Sequence, residues 1–192
     1  MSTSLFLNFL RHPTQVGAVC PSSRALSCAI TDFAGIGQFP QTVVELGPGT
    51  GVFTREILQR QKSCGGRFLA LEINGDLCRN LRQTLPELEL YQEDAARLPL
   101  LLQEKGLEYA DVVVAGLPWA IFPDQLQRDI LSGVCHALRP GGSFLTFAYL
   151  QGVCLPAGRR FRNLLQNSFS RVENSSVVWR NLPPAFIYRC TL

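Results

Sequence analysis

Short apolar runs alternate with longer amphipathic stretches along most of this chain. The apolar runs are bounded by glycine, proline or charged residues, which is typical of buried strands. Strands are predicted at Thr42–Leu46, Arg67–Glu72, Leu88–Tyr91, Asp111–Ala115 and Ser143–Tyr149. Between them, apolar residues recur at helical spacing and predict helices at Thr54–Lys62, Asp76–Leu85, Arg97–Glu104 and Asp124–Leu138. This alternation predicts an α/β protein, with a parallel sheet covered by helices on both faces.

The end of the chain departs from this alternation. After a helix predicted at Arg160–Phe169, two strands are predicted at Ser176–Asn181 and Ala185–Cys190, with only Leu182-Pro183-Pro184 between them. Because so short a connection joins antiparallel neighbours, the last strand is predicted to run against the others.

An N-terminal helical extension is predicted over residues 1–35, before a main domain at 36–192. Its first helix, Ser4–Arg11, is short and carries four apolar residues on one face, and its second is Arg24–Phe33. The apolar face makes the extension a candidate membrane or lid segment.

The composition of the chain excludes several classes of protein. Of 192 residues, 46% are hydrophobic and 17% charged, which excludes a disordered chain, and the net charge of +3 is low for a nucleic-acid binder. Seven cysteines form no CxxC pair and there are two histidines, so no metal site is expected. Without a predicted signal peptide or membrane span, we expect free thiols and a cytoplasmic protein.

A glycine-rich turn follows the first strand and carries the strongest chemical signal. Gly47-Pro48-Gly49-Thr50-Gly51 leads into a helix, so main-chain N–H groups can meet a ligand closely. A dinucleotide site would need the spacing GxGxxG. Here the spacing is GxGxG, and Glu45 before the turn would repel a pyrophosphate and attract a cation. S-adenosylmethionine (SAM), with its sulfonium and ammonium groups, is therefore favoured.

Two further acids follow the next strands. Glu72 ends the second strand, next to Ile73, where a carboxylate can accept both hydroxyls of a ribose. Asp94 can accept the amino group of adenine, and the N–H of Ala95 can meet a ring nitrogen. The alternatives are a solvated acid at Glu72 and a helix N-cap at Asp94.

Together with Leu138-Arg139-Pro140-Gly141-Gly142, this pattern resembles the class I SAM-dependent methyltransferases over about residues 40–192. The resemblance implies a Rossmann-like, mostly parallel seven-stranded sheet with an antiparallel last strand. It implies SAM as cofactor and S-adenosylhomocysteine as product. The implied cofactor residues are Glu45, Gly47, Pro48, Gly49, Thr50, Gly51, Glu72, Ile73, Asp94, Ala95 and Gly116.

The methyl acceptor is expected beside Gly116-Leu117-Pro118-Trp119, after the fourth strand. Families that methylate nucleobases or glutamine often have Asn/Asp-Pro-Pro-Tyr/Phe there, whereas Gly116 has no side-chain amide. Leu117 and Pro118 are candidate substrate contacts. Trp119, whose ring attracts cations, and Tyr149 are the candidate catalytic residues, with packing in the core as the alternative for each.

Three arginines at a predicted helix start, Arg159, Arg160 and Arg162, suggest a bound anion such as a phosphate, with a solvated cluster as the alternative. Residues 151–192 hold six arginines and one acid. This basic region and the amphipathic first helix together predict docking on an anionic membrane.

Several segments resemble the bacterial phospholipid N-methyltransferases: Pro13, Val16–Leu26, Val43–Leu58, Gly116–Pro118, Phe147–Tyr149 and Asn181–Ala185. The resemblance implies methylation of phosphatidylethanolamine, at the inner face of the cytoplasmic membrane and without nucleic acid. The alternatives are a methyltransferase of RNA (adenine dimethylase-like) or of a soluble small molecule, and a non-catalytic module that binds SAM or membrane.

Overall fold

The computed structural model describes residues 22–192, and within them it forms one seven-stranded sheet. The strands are β1 (Thr42–Leu46), β2 (Arg67–Leu71), β3 (Glu89–Tyr91), β4 (Ala110–Ala115), β5 (Leu138–Tyr149), β6 (Arg171–Asn174) and β7 (Ala185–Thr191). The α-helices are α1 (Arg24–Ala34), α2 (Val52–Cys64), α3 (Gly75–Thr84), α4 (Leu98–Glu104), α5 (Asp124–Ala137) and α6 (Pro156–Ser168). Short 3₁₀ turns lie at Ala95–Arg97, Trp119–Ile121 and Leu150–Gly152.

The strand order is β3-β2-β1-β4-β5-β7-β6. Strands β1 to β5 are parallel, and β7 runs antiparallel to both β5 and β6. The predicted mixed sheet with an antiparallel last strand is therefore confirmed. The order changes direction between β1 and β4, and in such sheets ligands bind outside the carboxyl ends of the strands at that point.

Apolar side chains cover both faces of the sheet. On one face β1 and β4 pack with α4, α5 and α6, for instance through Leu98 and Leu131. On the other face they pack with α1 and α2, through Leu26 and Ile57. Burial on both faces explains why the central strands are almost wholly apolar. It also makes Glu45 unusual, because this acid is fully buried at the next-to-last position of β1.

Three predicted elements needed correction. Strand β5 begins at Leu138, not Ser143, because Leu138 already pairs with Ala110 ahead of a bulge. The strand predicted at Ser176–Asn181 is wrong: β6 is Arg171–Asn174, and in the predicted range only Val178 makes an isolated bridge, to Ala185. Pairing with β7, rather than apolar character, defines this edge strand. Helix α6 begins at Pro156, not Arg160, because proline fits the first helical position.

The first predicted helix, Ser4–Arg11, lies outside the described residues. The second, α1, packs on the sheet, with Leu26 and Ile30 fully buried. In residues 22–192, no helix combines the length and apolar character needed to cross a bilayer.

Candidate cofactor and acceptor site

The glycine turn between β1 and α2 has three left-handed glycines: φ is 69° at Gly47, 59° at Gly49 and 82° at Gly51. A Cβ on Gly47 would lie only 2.6 Å from a methyl of Leu117, whereas a Cβ on Gly49 would have no neighbour within 4 Å. Glycine at 47 is therefore favoured by its left-handed backbone, and a side chain there would also displace Leu117. Gly49 leaves open space in which a ligand can approach the main chain.

Pro48 and Thr50 contribute main-chain groups that fix the turn. The carbonyl of Pro48 accepts the N–H of Gly51 at 2.9 Å. The carbonyl of Thr50 accepts the guanidinium of Arg55 at 2.8 Å. The turn is thus held by its own bonds, so it is organised before any ligand arrives.

Glu72 joins this turn to the end of β2. Its carboxylate accepts the N–H of Gly49 at 3.1 Å and that of Asn74 at 2.9 Å. The side chain is buried, and burial raises the pKa of Glu72 while these N–H groups oppose the rise. A carboxylate so placed beside an open glycine turn is suited to bind ribose hydroxyls.

Glu45 precedes the turn by two residues, is buried, and is absent from the cavity wall. One carboxylate oxygen accepts the hydroxyl of Thr54 at 2.7 Å, and the other, Oε1, has no hydrogen-bond partner among the described residues. Burial raises the pKa of Glu45 to about 8. An unpaired buried acceptor is costly, and a nearby cation would favour its ionised form.

A cavity of about 240 Å³ opens beside these residues. It brings together nine of the predicted site residues, which come from the loops after β1, β2, β3 and β4: Gly47, Gly49, Glu72, Ile73, Asp94, Ala95, Gly116, Leu117 and Pro118. Asp94 caps the 3₁₀ turn, accepting the N–H of Ala96 at 2.9 Å. It therefore has the capping role given as its alternative and lines the cavity as well.

The sequence reasoning missed the apolar wall of this cavity. Phe122, Leu126 and Ile130 line it, from the start of α5 and the loop before it, and Leu77 lines it from α3. On sequence these residues are indistinguishable from an ordinary buried helix face. The wall suits a flat apolar group such as the ring of adenine, or the apolar part of an acceptor.

Gln127 was also missed. It is buried, and its amide donates to the carbonyls of Trp119 and Phe122 at 2.9 and 3.0 Å. It thereby fixes the loop between Gly116 and α5. A signal existed, because Gln127 is a polar residue on the same helix face as Ile130 and Val134.

The structure explains why residue 116 is a glycine and not an asparagine. Its N–H donates to the carbonyl of Leu46 at 2.9 Å, and a Cβ there would lie 2.9 Å from the carbonyl oxygen of Gly47. The two loops approach too closely for an asparagine without a backbone shift. Main-chain groups of Gly116, Leu117 and Pro118 are therefore the polar groups available on this side of the cavity.

Trp119 does not reach the cavity. Its ring is buried, stacks on Phe161 at 4.8 Å between ring centroids, and donates Nε1–H to Thr146 at 2.9 Å. This placement matches core packing, the alternative for Trp119. It provides no contact with a substrate cation, so the structure gives the catalytic prediction no support.

Tyr149 ends β5 and is half-buried, with its ring 5.6 Å from that of Phe147. It too is absent from the cavity wall. A catalytic role for Tyr149 remains a prediction.

Arg159, Arg160 and Arg162 are exposed on α6 and do not line the cavity. Helix α6 begins at Pro156, so the three arginines come after its first turn. The argument that cations at a helix start indicate a bound anion is therefore wrong for them. Arg160 lies 3.9 Å from Asp124. Their part in substrate binding stays a prediction. In residues 22–192, no group of three or more potential metal ligands is present.

The residues present fit SAM. Glu72 and Asp94 can accept hydroxyl and amino groups, and the open side of Gly49 admits a ligand to the main chain. The buried Glu45, two residues before the turn, keeps one oxygen without a partner among the described residues. This donor and acceptor set suits a cationic nucleoside better than a pyrophosphate.

Comparisons with known proteins agree with this fit. Residues 43–142 match the family model described as a methyltransferase domain. The chain is 36% identical to the ornithine lipid N-methyltransferase of Singulisphaera acidiphila, over 97% of this chain and 94% of that protein. It is 36% identical to a ribosomal RNA small subunit methyltransferase A of Synechococcus, over 48% of this chain and 30% of that protein.

A solved structure has the same fold. The N-methyltransferase NodS of Bradyrhizobium japonicum, in complex with S-adenosylhomocysteine, superposes with a TM-score of 0.65 at 14% identity, over 88% of this chain and 86% of that one. The glycine turn, the acids after β2 and β3, the family model and the full-length relative point to one conclusion. The chain belongs to the class I SAM-dependent methyltransferases.

Proposed function

We propose that this enzyme transfers methyl groups from SAM to the amine of a membrane lipid. The observation that carries the proposal is the extent of the two similarities. The similarity to the ornithine lipid N-methyltransferase covers 97% of the chain. The similarity to the ribosomal RNA methyltransferase covers 48%. This difference in extent supports a lipid acceptor over an RNA acceptor.

The acceptor is proposed as a lipid with a primary amine. The sequence motifs favour phosphatidylethanolamine, and the name of the full-length relative favours ornithine lipid. In both lipids the amine belongs to an anionic or polar head group. The cavity would therefore distinguish the two lipids by the shape of that head group. We extend the proposal to an anionic membrane surface as the partner and to a peripheral location at the membrane.

SAM, when bound, supplies an electrophilic methyl group on its sulfonium. The chain then has to present a neutral amine in line with that methyl, since alignment provides much of the rate. The apolar wall of Phe122, Leu126 and Ile130 disfavours an ammonium ion, because burial lowers the pKa of an amine. Main-chain carbonyls near Gly116 can accept the N–H bonds of the amine and orient its lone pair. As the N–C bond forms, the bond between that methyl carbon and sulfur breaks, S-adenosylhomocysteine leaves as the product, and one N–H proton goes to solvent.

The test uses SAM labelled in its methyl group. The purified enzyme is incubated with vesicles that contain phosphatidylethanolamine, ornithine lipid or only phosphatidylglycerol, and the lipid is extracted. We expect label in the organic phase with at least one of the two amino lipids. Gly49→Arg, which fills the open side of the turn, should give none.

An RNA acceptor is the competing function, since a ribosomal RNA small subunit methyltransferase A is 36% identical over 48% of this chain. The same assay with ribosomal RNA decides between them. Label in RNA and none in lipid would overturn the proposal, as would an absence of lipid label in a preparation shown to bind SAM.

A further inference from the structure

Large apolar side chains are exposed at the edge of the sheet where the parallel strands end. Ile121 follows β4, Leu150 and Leu155 follow β5, and Trp179 and Leu182 precede β7. The relative exposure of Trp179 is 70% and that of Leu182 is 77%. Exposure of such side chains to water is unfavourable. Several of them at one edge therefore indicate a surface that contacts an apolar partner.

The loop that carries Trp179 and Leu182 is well anchored. Asn181, between them, is buried and donates its amide to the carbonyl of Pro183 at 2.7 Å. The oxygen of the same side chain accepts the N–H of Ser23 at 2.9 Å. The backbone is therefore fixed, while its two largest apolar side chains stay in solvent.

This loop adjoins the segment that follows β5. The N–H of Leu150 donates to the carbonyl of Pro184 at 2.9 Å, and Tyr149 is the register partner of Ala185. The apolar residues after β5 and those before β7 thus lie on neighbouring loops.

Unpaired positive charge accompanies them. Arg159 and Arg162 on α6 and Arg180 in the Trp179 loop are exposed, and none of the three forms an ion pair with any residue from 22 to 192. From residue 150 to 184 there are five arginines and a single acid. Apolar side chains interleaved with unpaired arginines complement a surface with phosphates outside and hydrocarbon beneath.

We propose that this edge docks on the surface of an anionic lipid bilayer. The docking edge comprises eight residues: Ile121, Leu150, Leu155, Arg159, Arg162, Trp179, Arg180 and Leu182. Trp179 and Leu182 enter the interfacial layer, and the arginines contact lipid phosphates. The inference rests on the proposed function, because the cavity lies at the same edge, beside Gly116 and Pro118. Docking would bring lipid head groups to the cavity without extraction into water.

Intrinsic fluorescence tests this surface directly. The chain has two tryptophans, and Trp119 is buried and hydrogen-bonded, so Trp179 reports on the docking edge. With phosphatidylglycerol vesicles we expect a blue shift of the emission and quenching by brominated acyl chains. Trp179→Phe should abolish both changes. Emission from Trp179 that stays unchanged with vesicles would overturn the proposal, and would indicate that the chain before residue 22 or another protein covers it.

Matched variants distinguish docking through this edge from non-specific binding of exposed apolar residues to vesicles. Trp179→Ser with Leu182→Ser should weaken vesicle binding about tenfold or more, and Arg159→Ala with Arg180→Ala should weaken it mainly at low salt. Phe39 and Tyr109 are exposed at the opposite edge, before β1 and β4. Their serine variants should bind vesicles like the wild type. Equal losses from the two edges would contradict the proposal.

Activity with two forms of the substrate distinguishes this proposal from the proposed function. The variant with serine at 179 and 182 should lose methylation of vesicle lipid and keep methylation of a short-chain, monomeric amino lipid. Loss with both substrates would contradict a docking role. If the wild type binds vesicles through Trp179 yet methylates neither form, the docking edge stands and the proposed function fails.

Discussion

The carboxylate of Glu72 accepts the main-chain N–H of Gly49 at 3.1 Å. This bond joins the end of β2 to the open point of the turn after β1, so the residue that would hold a ribose also positions the turn above it. A substitution at Glu72 is expected to affect both contacts at once.

Glu72→Ala should weaken SAM binding by about ten- to a hundredfold, because it removes an acceptor for the ribose and a support for the turn. Glu72→Gln keeps one carbonyl acceptor and should lose less. Calorimetric titration with S-adenosylhomocysteine measures the affinity. Asp76→Ala, an exposed acid in the first turn of α3, is the control and should bind like the wild type. Equal losses in the Glu72 and Asp76 variants would contradict the assignment.

Gly49→Arg should abolish SAM binding while the protein stays folded. Gly65 offers a matched control: its φ is also positive, and a Cβ there meets nothing within 4 Å, but it lies at the end of α2. Both arginine variants should lose about 1 kcal/mol of unfolding free energy from backbone strain. Only Gly49→Arg should lose the ligand. Intact binding in that variant would show that the open side of the turn is not used.

Glu45 should make the unfolding free energy depend on pH. Its pKa is about 8 in the folded protein and near 4.5 when the chain unfolds, so between these values the native state binds more protons. Stability from this group is therefore full below about pH 4.5 and falls as pH rises toward 8. Glu45→Gln removes this contribution. Urea unfolding at pH 6 and pH 9 without ligand should show a smaller decrease in the variant, and an equal decrease would show that Glu45 is ionised when buried.

Trp119 should behave as a core residue. Trp119→Ala should cost about 3–5 kcal/mol of unfolding free energy, whereas Trp119→Phe should cost about 1 kcal/mol through the lost bond to Thr146. Both changes are measured by denaturant unfolding monitored by circular dichroism. Trp119→Phe should keep its kcat, and a large fall in kcat with stability retained would instead restore a catalytic role.

Gln127→Met should raise KM for the acceptor more than it changes the affinity for SAM. The change keeps side-chain volume but removes the donor to the carbonyls of Trp119 and Phe122. The loop beside the acceptor would then lose its alignment. Gln125→Met, on the exposed face of the same helix, is the control. A uniform effect on both ligands would indicate general destabilisation.

Much of the cofactor side could be predicted because local rules determine it. Strand β1 and the left-handed glycines follow from a β-branched run and a turn that only glycine accommodates. The acids at 72 and 94 follow from parallel strands that end at one edge. The predicted cofactor, SAM, is confirmed by the family to which the chain belongs.

The acceptor side could not be predicted as well, because it depends on how distant segments pack. Trp119 next to a glycine loop suggests a substrate contact, yet Phe161, forty-two positions later, takes its ring into the core. Phe122 and Ile130 have the pattern of any buried helix face. Val178 has the β-branched character of a strand, and only the register with β7 places the edge strand at Arg171–Asn174.

The order β3-β2-β1 has a further consequence for ligand length. Asp94, Glu72 and Gly49 follow three strands that are neighbours in the sheet. Neighbouring strands lie about 4.8 Å apart, so the ends of these three strands span about 10 Å in two steps. That distance is maintained by the backbone hydrogen bonds of the sheet and not by any loop. The predicted cofactor residues therefore call for a ligand that reaches across three strands, and we expect adenine or methionine alone to engage only one end.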